Sequence, residues 1–203
     1  TPGTPVIRTI AVATSAARDA RNASEFSSRL RKRGIELSVI PGNREAALSF
    51  SGASIDFSGE HLMVVDVGGG STEVVVGTGG AVPACAHSFN VGCRRVTERF
   101  LASDPPASEE LARARAWIHD QMASWFAENK GEVASLDRVV AVAGTATTVV
   151  SIRERMETYD SSRVHKARVS RRDLLEVYER LAALPLSERM QVVGLDPKRA
   201  PVM

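Results

Sequence analysis

The sequence predicts an α/β fold, because short apolar runs rich in β-branched residues alternate with longer segments of helical periodicity. Two such runs, residues 61–66 and 72–76, flank a glycine-rich stretch that fits a tight hairpin. Residues 108–129 repeat apolar side chains at the spacing of a long amphipathic helix. Strands and helices that alternate in this way are typical of a sheet covered by helices.

The first part of the chain contains two predicted strands, each followed by a helix. Phe26 and Leu30, four residues apart, mark the apolar face of the first helix. Gly34 is predicted to end that helix, and the turn residues 41–43 open the next one. The predicted elements are a strand over 6–13, a helix over 15–33, a strand over 35–40, a helix over 44–50 and a polar linker over 54–60.

The rest of the chain predicts three consecutive strands, then helices with one further strand between them. Turn signals at residues 78–80 and 104–106 separate these elements. We therefore place residues 1–53 in one lobe and residues 54–203 in a second lobe. The predicted elements are strands over 61–66, 72–76, 82–89 and 139–143, and helices over 93–101, 108–129, 145–157, 170–183 and 187–192.

The composition is that of an ordinary globular protein, with 43% hydrophobic and 25% charged residues in a chain of 203. No run of about 18 apolar residues could span a bilayer, and no leader precedes the first predicted strand. We therefore expect a cytoplasmic protein without a membrane partner. Cys85 and Cys93 are too few for a disulfide framework or a zinc site and are expected to be buried thiols.

The net charge of +2 is too small to attract a polyanion through the overall field. Between Asp160 and Asp173 the chain carries His165 and several arginine and lysine residues without an acidic residue. This run could bind a phosphate chain or nucleic acid, or it could form a solvated loop and helix start. With 5% aromatic residues and no stacking platform near the run, we expect no nucleic-acid partner.

The stretch between the two apolar runs has the composition of a phosphate-binding turn. Its three glycines can adopt backbone angles closed to other residues and let a ligand approach their N–H groups. The flanking carboxylates are oxygen ligands of the kind that Mg²⁺ prefers. The stretch is either a Mg²⁺-phosphate site or a glycine-rich hairpin with a satisfied aspartate. Its residues are Asp66, Gly68, Gly69, Gly70, Ser71, Thr72 and Glu73.

The octet DVGGGSTE, from Asp66 to Glu73, resembles the signature of the exopolyphosphatase and guanosine pentaphosphate phosphohydrolase family. The fold of this family belongs with actin, Hsp70 and the sugar kinases. The resemblance therefore implies an actin-like (ribonuclease H-like) fold, with part of a first lobe and most of a second. Further segments resemble family blocks in the family's order: TSAARDARN (14–22), IPGNREAALSFSG (40–52), AGTATTV (143–149), Val164–His165 and GLDPKRA (194–200).

The resemblance also implies a catalytic base. In the family this glutamate is the second acid of an Asn-Glu-Glu-Ala run, and this sequence reads Asn43–Arg44–Glu45–Ala46. Glu45 matches the base, although an arginine replaces the first acid. Such a base orients or deprotonates the water that attacks a phosphoanhydride. The alternative is that Glu45 is a first-turn helix acid favoured by the helix dipole.

The remaining site residues follow from the same resemblance. Asp66 and Glu73 would hold Mg²⁺, and the N–H groups of the glycine turn would grip the terminal phosphate. Arg18 has a forked guanidinium that suits phosphate binding, unless it is a solvated helix arginine. Gly144 and Thr145, at a junction of strand and helix, would form a second phosphate-facing turn, unless Gly144 serves close packing.

Family members begin with their own strand, an aspartate and a Ser/Gly turn that supplies a second phosphate loop and another Mg²⁺ ligand. Nothing before Val6 matches that pattern, and the sequence stops where relatives continue into a further helix. We therefore expect this chain to be a fragment, which could be inactive on its own.

The implied activity is that of an exopolyphosphatase, which removes terminal orthophosphate from inorganic polyphosphate with Mg²⁺. Guanosine pentaphosphate, a nucleotide of the stringent response, is a related substrate, and Mn²⁺ and K⁺ are further candidate ions. Two alternatives are a binding module for polyphosphate or the alarmone that lacks turnover, and a small-molecule kinase of the actin fold. Trp117 and Trp125, on the long helix, are expected in the core or in a homodimer face.

Overall fold

The computed structural model describes residues 9–203. Two short strands, β1 (Ala11–Ala13) and β2 (Leu37–Val39), form a parallel pair near the start of the described chain. Helices α1 (Ser15–Asp19) and α2 (Ala23–Arg31) connect these strands. Residues 6–8 of the predicted first strand lie outside the described residues.

The prediction of one continuous helix over residues 15–33 is wrong. The chain is extended at Ala20, with φ −73° and ψ 127°, and this ends α1. The second helix starts after Asn22, a residue type that favours helix caps over helix interiors. As a result Arg18 and Asp19 lie at the end of a short, separate helix.

Helix α3 (Gly42–Ser54) is longer than predicted and continues into a short 3-10 helix over Ile55–Phe57. The linker predicted over residues 54–60 is therefore wrong for most of its length. The helical chain continues because its apolar side chains pack on the neighbouring sheet. Phe50 is buried against Leu62, Val64 and Val75, and Ala53 and Phe57 pack on the same cluster.

A four-stranded sheet, in the order β5-β4-β3-β6, organises the larger part of the chain. Strands β3 (His61–Val67), β4 (Thr72–Thr78) and β5 (Cys85–Phe89) form the predicted antiparallel meander. Strand β6 (Arg138–Val142) pairs in parallel with β3. The carboxyl ends of β3 and β6 therefore lie at the same edge of the sheet. Helix α3 packs on this sheet. The predicted division into lobes after residue 53 stays a prediction.

Helices cover both faces of the sheet. Opposite α3, the buried Trp125 packs against Met63, Val74 and Val76, so this tryptophan belongs to the core. No helix within residues 9–203 is both long and apolar enough to cross a bilayer. The remaining helices are α4 (Cys93–Phe100), α5 (Ser108–Glu128), α6 (Lys130–Ala134), α7 (Ala143–Arg153), α8 (Ser161–Val164), α9 (Arg171–Ala182) and α10 (Leu186–Arg189), with a 3-10 helix over Ala200–Val202.

The basic run between Asp160 and Asp173 forms α8, a loop and the start of α9. Within it, His165 Nε2 and Lys166 Nζ lie 3.0 and 2.9 Å from carboxylate oxygens of Asp56. Two side chains of the run thus contact a carboxylate of the same chain, which favours the interpretation as a solvated loop and helix start.

Candidate active site

Three carboxylates converge on the sheet face that α3 covers. Asp66 and Glu73 are directly opposite each other in the β3–β4 pair, so their side chains share one face of the sheet. Glu45 lies in the first turn of α3. The charges of Glu45 and Asp66 both help to raise the pKa of the Glu73 carboxyl, so the three groups interact. The structure thus brings together the predicted base and both predicted metal ligands.

Each of the two strand carboxylates accepts a short hydrogen bond from a serine. Ser49 Oγ donates to Asp66 Oδ2 at 2.7 Å, and Ser88 Oγ donates to Glu73 Oε1 at 2.6 Å. Ser49 lies one helical turn after Glu45, on the same face of α3. These bonds fix the orientation of both carboxylates before any ligand arrives.

Glu73 is buried, with 2% of its surface exposed. Burial raises the pKa of its carboxyl above the usual range, and the nearby charges of Glu45 and Asp66 act in the same direction. Hydrogen bonds from Ser88 and Ser71 oppose this shift only in part. A bound cation would relieve the unfavourable charge of such a group, which suits a metal-ligand role.

Glu45, the predicted base, lies beside Arg18, the predicted phosphate ligand. Arg18 Nη1 is 3.6 Å from Glu45 Oε2, and the same nitrogen donates to the carbonyl oxygen of Ile40 at 2.7 Å. The Glu45 oxygen is buried, and no donor within residues 9–203 makes a hydrogen bond to it. Buried acceptors usually have partners, so this oxygen retains capacity to accept a hydrogen bond, as the predicted base requires.

The turn between β3 and β4 is held from one side by the start of α4. The carbonyl oxygens of Gly68 and Gly69 accept from the backbone N–H groups of Cys93 and Arg95, at 3.0 and 3.1 Å. The carbonyl oxygen of Gly70 accepts from Arg95 Nε at 2.9 Å. In a trans peptide the next N–H points away from the carbonyl.

The N–H groups that follow these three carbonyls therefore point away from α4. They belong to Gly69, Gly70 and Ser71, and no acceptor in the described part of the chain binds them. Adjacent backbone N–H groups without acceptors form a site for an anion. This arrangement supports the predicted phosphate-binding turn.

The three glycines do not use the backbone angles that glycine alone readily adopts, since none of the three is left-handed. Close approach is the reason instead. A Cβ atom on Gly70 would lie 2.6 Å from Ser15 Oγ, and one on Gly92 would lie 2.5 Å from the Gly69 carbonyl carbon. By contrast, Gly69 is exposed, and the nearest atom to a Cβ there would be Arg94 Cβ at 3.8 Å. The turn is thus open to a ligand at Gly69.

Replacing Gly92 with alanine is expected to lower both stability and activity, because the new methyl group would push the backbone at Gly69 and Gly70 away from α4. We expect a loss of roughly 1–3 kcal/mol in the free energy of unfolding. The matched control is Gly52→Ala in α3, where a Cβ meets no atom within 4 Å. Urea denaturation of both variants measures the difference, and equal stabilities would contradict the close approach.

The two hydroxyl groups next to the turn have different surroundings. Ser71 is buried and its hydroxyl interacts with Glu73. Thr72 Oγ1 donates to the carbonyl oxygen of Val91 at 2.6 Å. The Thr72 hydroxyl is thus already engaged by the protein, and the structure gives no support to its predicted contact with phosphate.

Gly144 and Thr145 open α7 at the sheet edge that carries the carboxylates, since Asp66 pairs with Val142 of β6. The guanidinium of Arg199 lies directly over Gly144, so a side chain there would have to push this flexible arginine aside. Arg199 Nη2 also lies 3.4 Å from Thr145 Oγ1. The near neighbour of Gly144 is thus the end of an arginine side chain, and the phosphate-facing role of Gly144 and Thr145 stays a prediction. A cavity of about 390 Å³ lies beside these residues and is distinct from the glycine turn.

The carboxylates fit a partial metal shell and not a complete one. Within residues 9–203, no group of three or more His, Cys, Asp or Glu side chains is placed to hold a metal ion. Mg²⁺ commonly keeps several waters and takes one or two protein carboxylates. Asp66 and Glu73 satisfy that requirement if waters and phosphate oxygens supply the other ligands.

Sequence reasoning missed several residues that shape this site. The spacing of Ser49 from Glu45 was a usable signal, because residues four apart share a helix face. Ser88 lies opposite Glu73 in the β4–β5 pair, but the connection between these strands is too long to fix that register from the sequence. No local pattern indicates the contacts of Arg95 and Arg199, because these join segments far apart in the sequence. The missed residues are Ser15, Ser49, Ser88, Arg95 and Arg199.

The sequence of this chain is similar to known proteins over nearly its whole length. Residues 2–203 match the Ppx/GppA phosphatase family. Exopolyphosphatase 2 of Mycobacterium tuberculosis is 38% identical over 200 residues, which are 95% of this chain and 61% of that protein. Exopolyphosphatase 1 of Mycobacterium bovis is 30% identical over 197 residues, which are 95% of this chain and 56% of that protein.

Solved structures agree with these relatives. An exopolyphosphatase-like protein superposes with a TM-score of 0.89 at 33% identity, covering 98% of this chain and 64% of that one. The Aquifex aeolicus Ppx/GppA enzyme gives a TM-score of 0.80 at 29% identity, covering 97% of this chain and 64% of that one. This chain thus spans about three fifths of the length of such relatives. The predicted actin-like α/β fold is confirmed, and the chain belongs to the Ppx/GppA phosphatase family.

Proposed function

We propose that the full-length protein is an exopolyphosphatase that releases terminal orthophosphate from inorganic polyphosphate. The observation that carries the proposal is the convergence of Glu45, Asp66 and Glu73 next to a turn whose N–H groups are free to bind an anion. The relatives named exopolyphosphatase 1 and 2 support the same substrate class.

Each group has a role in this reaction. The N–H groups of Gly69, Gly70 and Ser71 bind the terminal phosphate, and Arg18 adds a cation beside it. Glu45 accepts a hydrogen bond from the attacking water and aligns that water with the phosphorus atom. Asp66 and Glu73 would hold Mg²⁺, which supplies charge neutralisation at the phosphate oxygens when it is bound.

Guanosine pentaphosphate fits the same chemistry, because the bond to be cut is again a terminal phosphoanhydride. The groups described here contact only the phosphate end of a substrate. We therefore propose polyphosphate as the main substrate and guanosine pentaphosphate as a second one.

A parallel assay of the full-length protein tests this function. Orthophosphate release is measured from long-chain polyphosphate, guanosine pentaphosphate and ATP, each with Mg²⁺ and with excess chelator. We expect release from polyphosphate, and slower release from guanosine pentaphosphate, with Mg²⁺ but not with chelator, and little release from ATP. Binding of polyphosphate without release would contradict the proposal and favour a binding module, and transfer from ATP to a small molecule would favour a kinase.

A further inference from the structure

Arg95 joins two parts of the molecule that the sequence keeps far apart. Its Nε donates to the carbonyl oxygen of Gly70 at 2.9 Å, and its Nη2 donates to Asp19 Oδ2 at 2.6 Å. Asp19 ends α1, the helix that also carries Arg18. A single guanidinium thus connects the anion-binding turn to the helix that supplies a predicted phosphate ligand.

The bond to Gly70 sets the direction of one N–H group in the turn. Because the peptide unit is planar and trans, holding the Gly70 carbonyl toward α4 points the Ser71 N–H the opposite way. The two preceding carbonyls are held by backbone N–H groups of α4, but this third one depends on a side chain. The turn would therefore lose one aligned donor if the Arg95 side chain moved.

The contact between the glycine turn and α1 combines close packing with an ion pair. Ser15, the first residue of α1, is 5% exposed and packs directly against Gly70, where a Cβ atom would lie 2.6 Å from the Ser15 oxygen. The Asp19–Arg95 pair lies at the outer side of this contact, with side chains 52% and 35% exposed. α1 and the turn therefore touch at Gly70 and are fastened together by the ion pair.

We propose that Arg95 is a positioning residue and that the Asp19–Arg95 pair fastens α1 over the glycine turn, so that Arg18 and the Ser71 N–H face the same phosphate. The proposal rests on the proposed function for the identity of that phosphate, a condensed phosphate chain. Arg95 acts through Gly70 and Asp19, and no contact between Arg95 and the substrate is required.

The forked guanidinium is essential to this role, because its two nitrogens serve two acceptors in different elements. A lysine at this position would keep the charge but offers one ammonium group for both. Arg172 in α9 provides a matched control, since its side chain is 85% exposed and pairs with Glu176 on the same helix.

The test measures binding of imidodiphosphate, a condensed phosphate that is not hydrolysed at its P–N–P link, to the full-length protein by calorimetry with Mg²⁺. We expect Arg95→Gln and Arg95→Lys each to weaken binding by about tenfold, the value of one lost charge-assisted hydrogen bond, and Arg172→Gln to leave it within about twofold. If Arg95→Lys binds like the wild type, the charge alone matters and the proposal is wrong.

Asp19→Ala gives a second variant, in which Arg95 itself is unchanged. Removing a negative charge near an anion site should strengthen anion binding by simple electrostatics. Fastening of α1 over the turn predicts the opposite, a weakening of severalfold, and no further loss when Asp19→Ala is combined with Arg95→Gln. Tighter binding by Asp19→Ala would overturn the proposal.

The outcome is separate from that of the hydrolysis assay. In one case the wild type binds imidodiphosphate and the Arg95 and Asp19 variants bind it more weakly, but the wild type releases no phosphate from polyphosphate. That result would reject the exopolyphosphatase function and support the fastening of α1. If the wild type releases phosphate from polyphosphate and Asp19→Ala binds imidodiphosphate more tightly, the function is supported and the fastening of α1 is rejected. Wild type that neither binds imidodiphosphate nor releases phosphate would reject both.

Discussion

Replacing Glu45 with glutamine is expected to lower kcat for polyphosphate by roughly 10²–10⁴-fold while changing KM little. Glutamine has nearly the same shape, so packing at the start of α3 is kept. It cannot accept a proton, and its amide orients water less well than a carboxylate. Arg18 loses the charge of Glu45 beside it but keeps its hydrogen bond to the carbonyl oxygen of Ile40. The turn N–H groups are unchanged, and for that reason phosphate binding should persist.

The same variant separates the two interpretations of Glu45. A helix acid that only stabilises the first turn of α3 would give Glu45→Gln a lower Tm and normal kcat. Glu25→Gln in α2 is the matched control, because Glu25 is 68% exposed and lies outside the site. Initial rates over a range of polyphosphate concentrations, with thermal melts of all three proteins, measure both effects.

Glu73→Gln is expected to abolish most activity and to stabilise the metal-free protein at neutral pH. The folded state raises the pKa of this carboxyl, chiefly through burial, so the folded protein binds its proton more readily than the unfolded chain does. The contribution of Glu73 to the free energy of unfolding therefore falls as the pH rises above the ordinary glutamate pKa of about 4.3. A neutral glutamine, which can still accept from Ser88, avoids this loss.

Thermal melts in chelator from pH 4 to pH 8 measure this effect. We expect the Tm of Glu73→Gln to exceed that of the wild type at pH 7 and the difference to shrink toward pH 4. In the presence of Mg²⁺, phosphate release should fall by roughly 10²-fold or more, because a ligand of the cation is lost. A variant less stable than the wild type at pH 7 would show that the Glu73 carboxylate is favourable in the folded state.

The pairing of Asp66 with Glu73 was predictable, because a tight hairpin between two apolar runs fixes which residues lie opposite each other. The helix that carries Glu45 was also predictable, although its C-terminal extent was not. Its length depends on the packing of Ala53 and Phe57 on the sheet, and the polar composition of residues 54–60 does not reveal that contact.

The role of the glycines shows a different limit. The sequence allowed for unusual backbone angles and for the close approach of a ligand, whereas the structure uses Gly70 and Gly92 to let α1 and α4 approach the turn. Which of these reasons applies depends on elements that are distant in the sequence. For the same reason, the contacts of Arg95 and Arg199 could not be found from local pattern.

The most direct test of the central claim is ³¹P NMR of polyphosphate incubated with the full-length protein and Mg²⁺ in ¹⁸O-labelled water. Hydrolysis at the chain end predicts that orthophosphate accumulates with the label from solvent, that end-group signals persist while internal signals decline, and that Glu45→Gln stops this change. Unlabelled orthophosphate, cleavage into internal fragments, or equal activity of Glu45→Gln would contradict the claim that Glu45 directs water to the terminal phosphate.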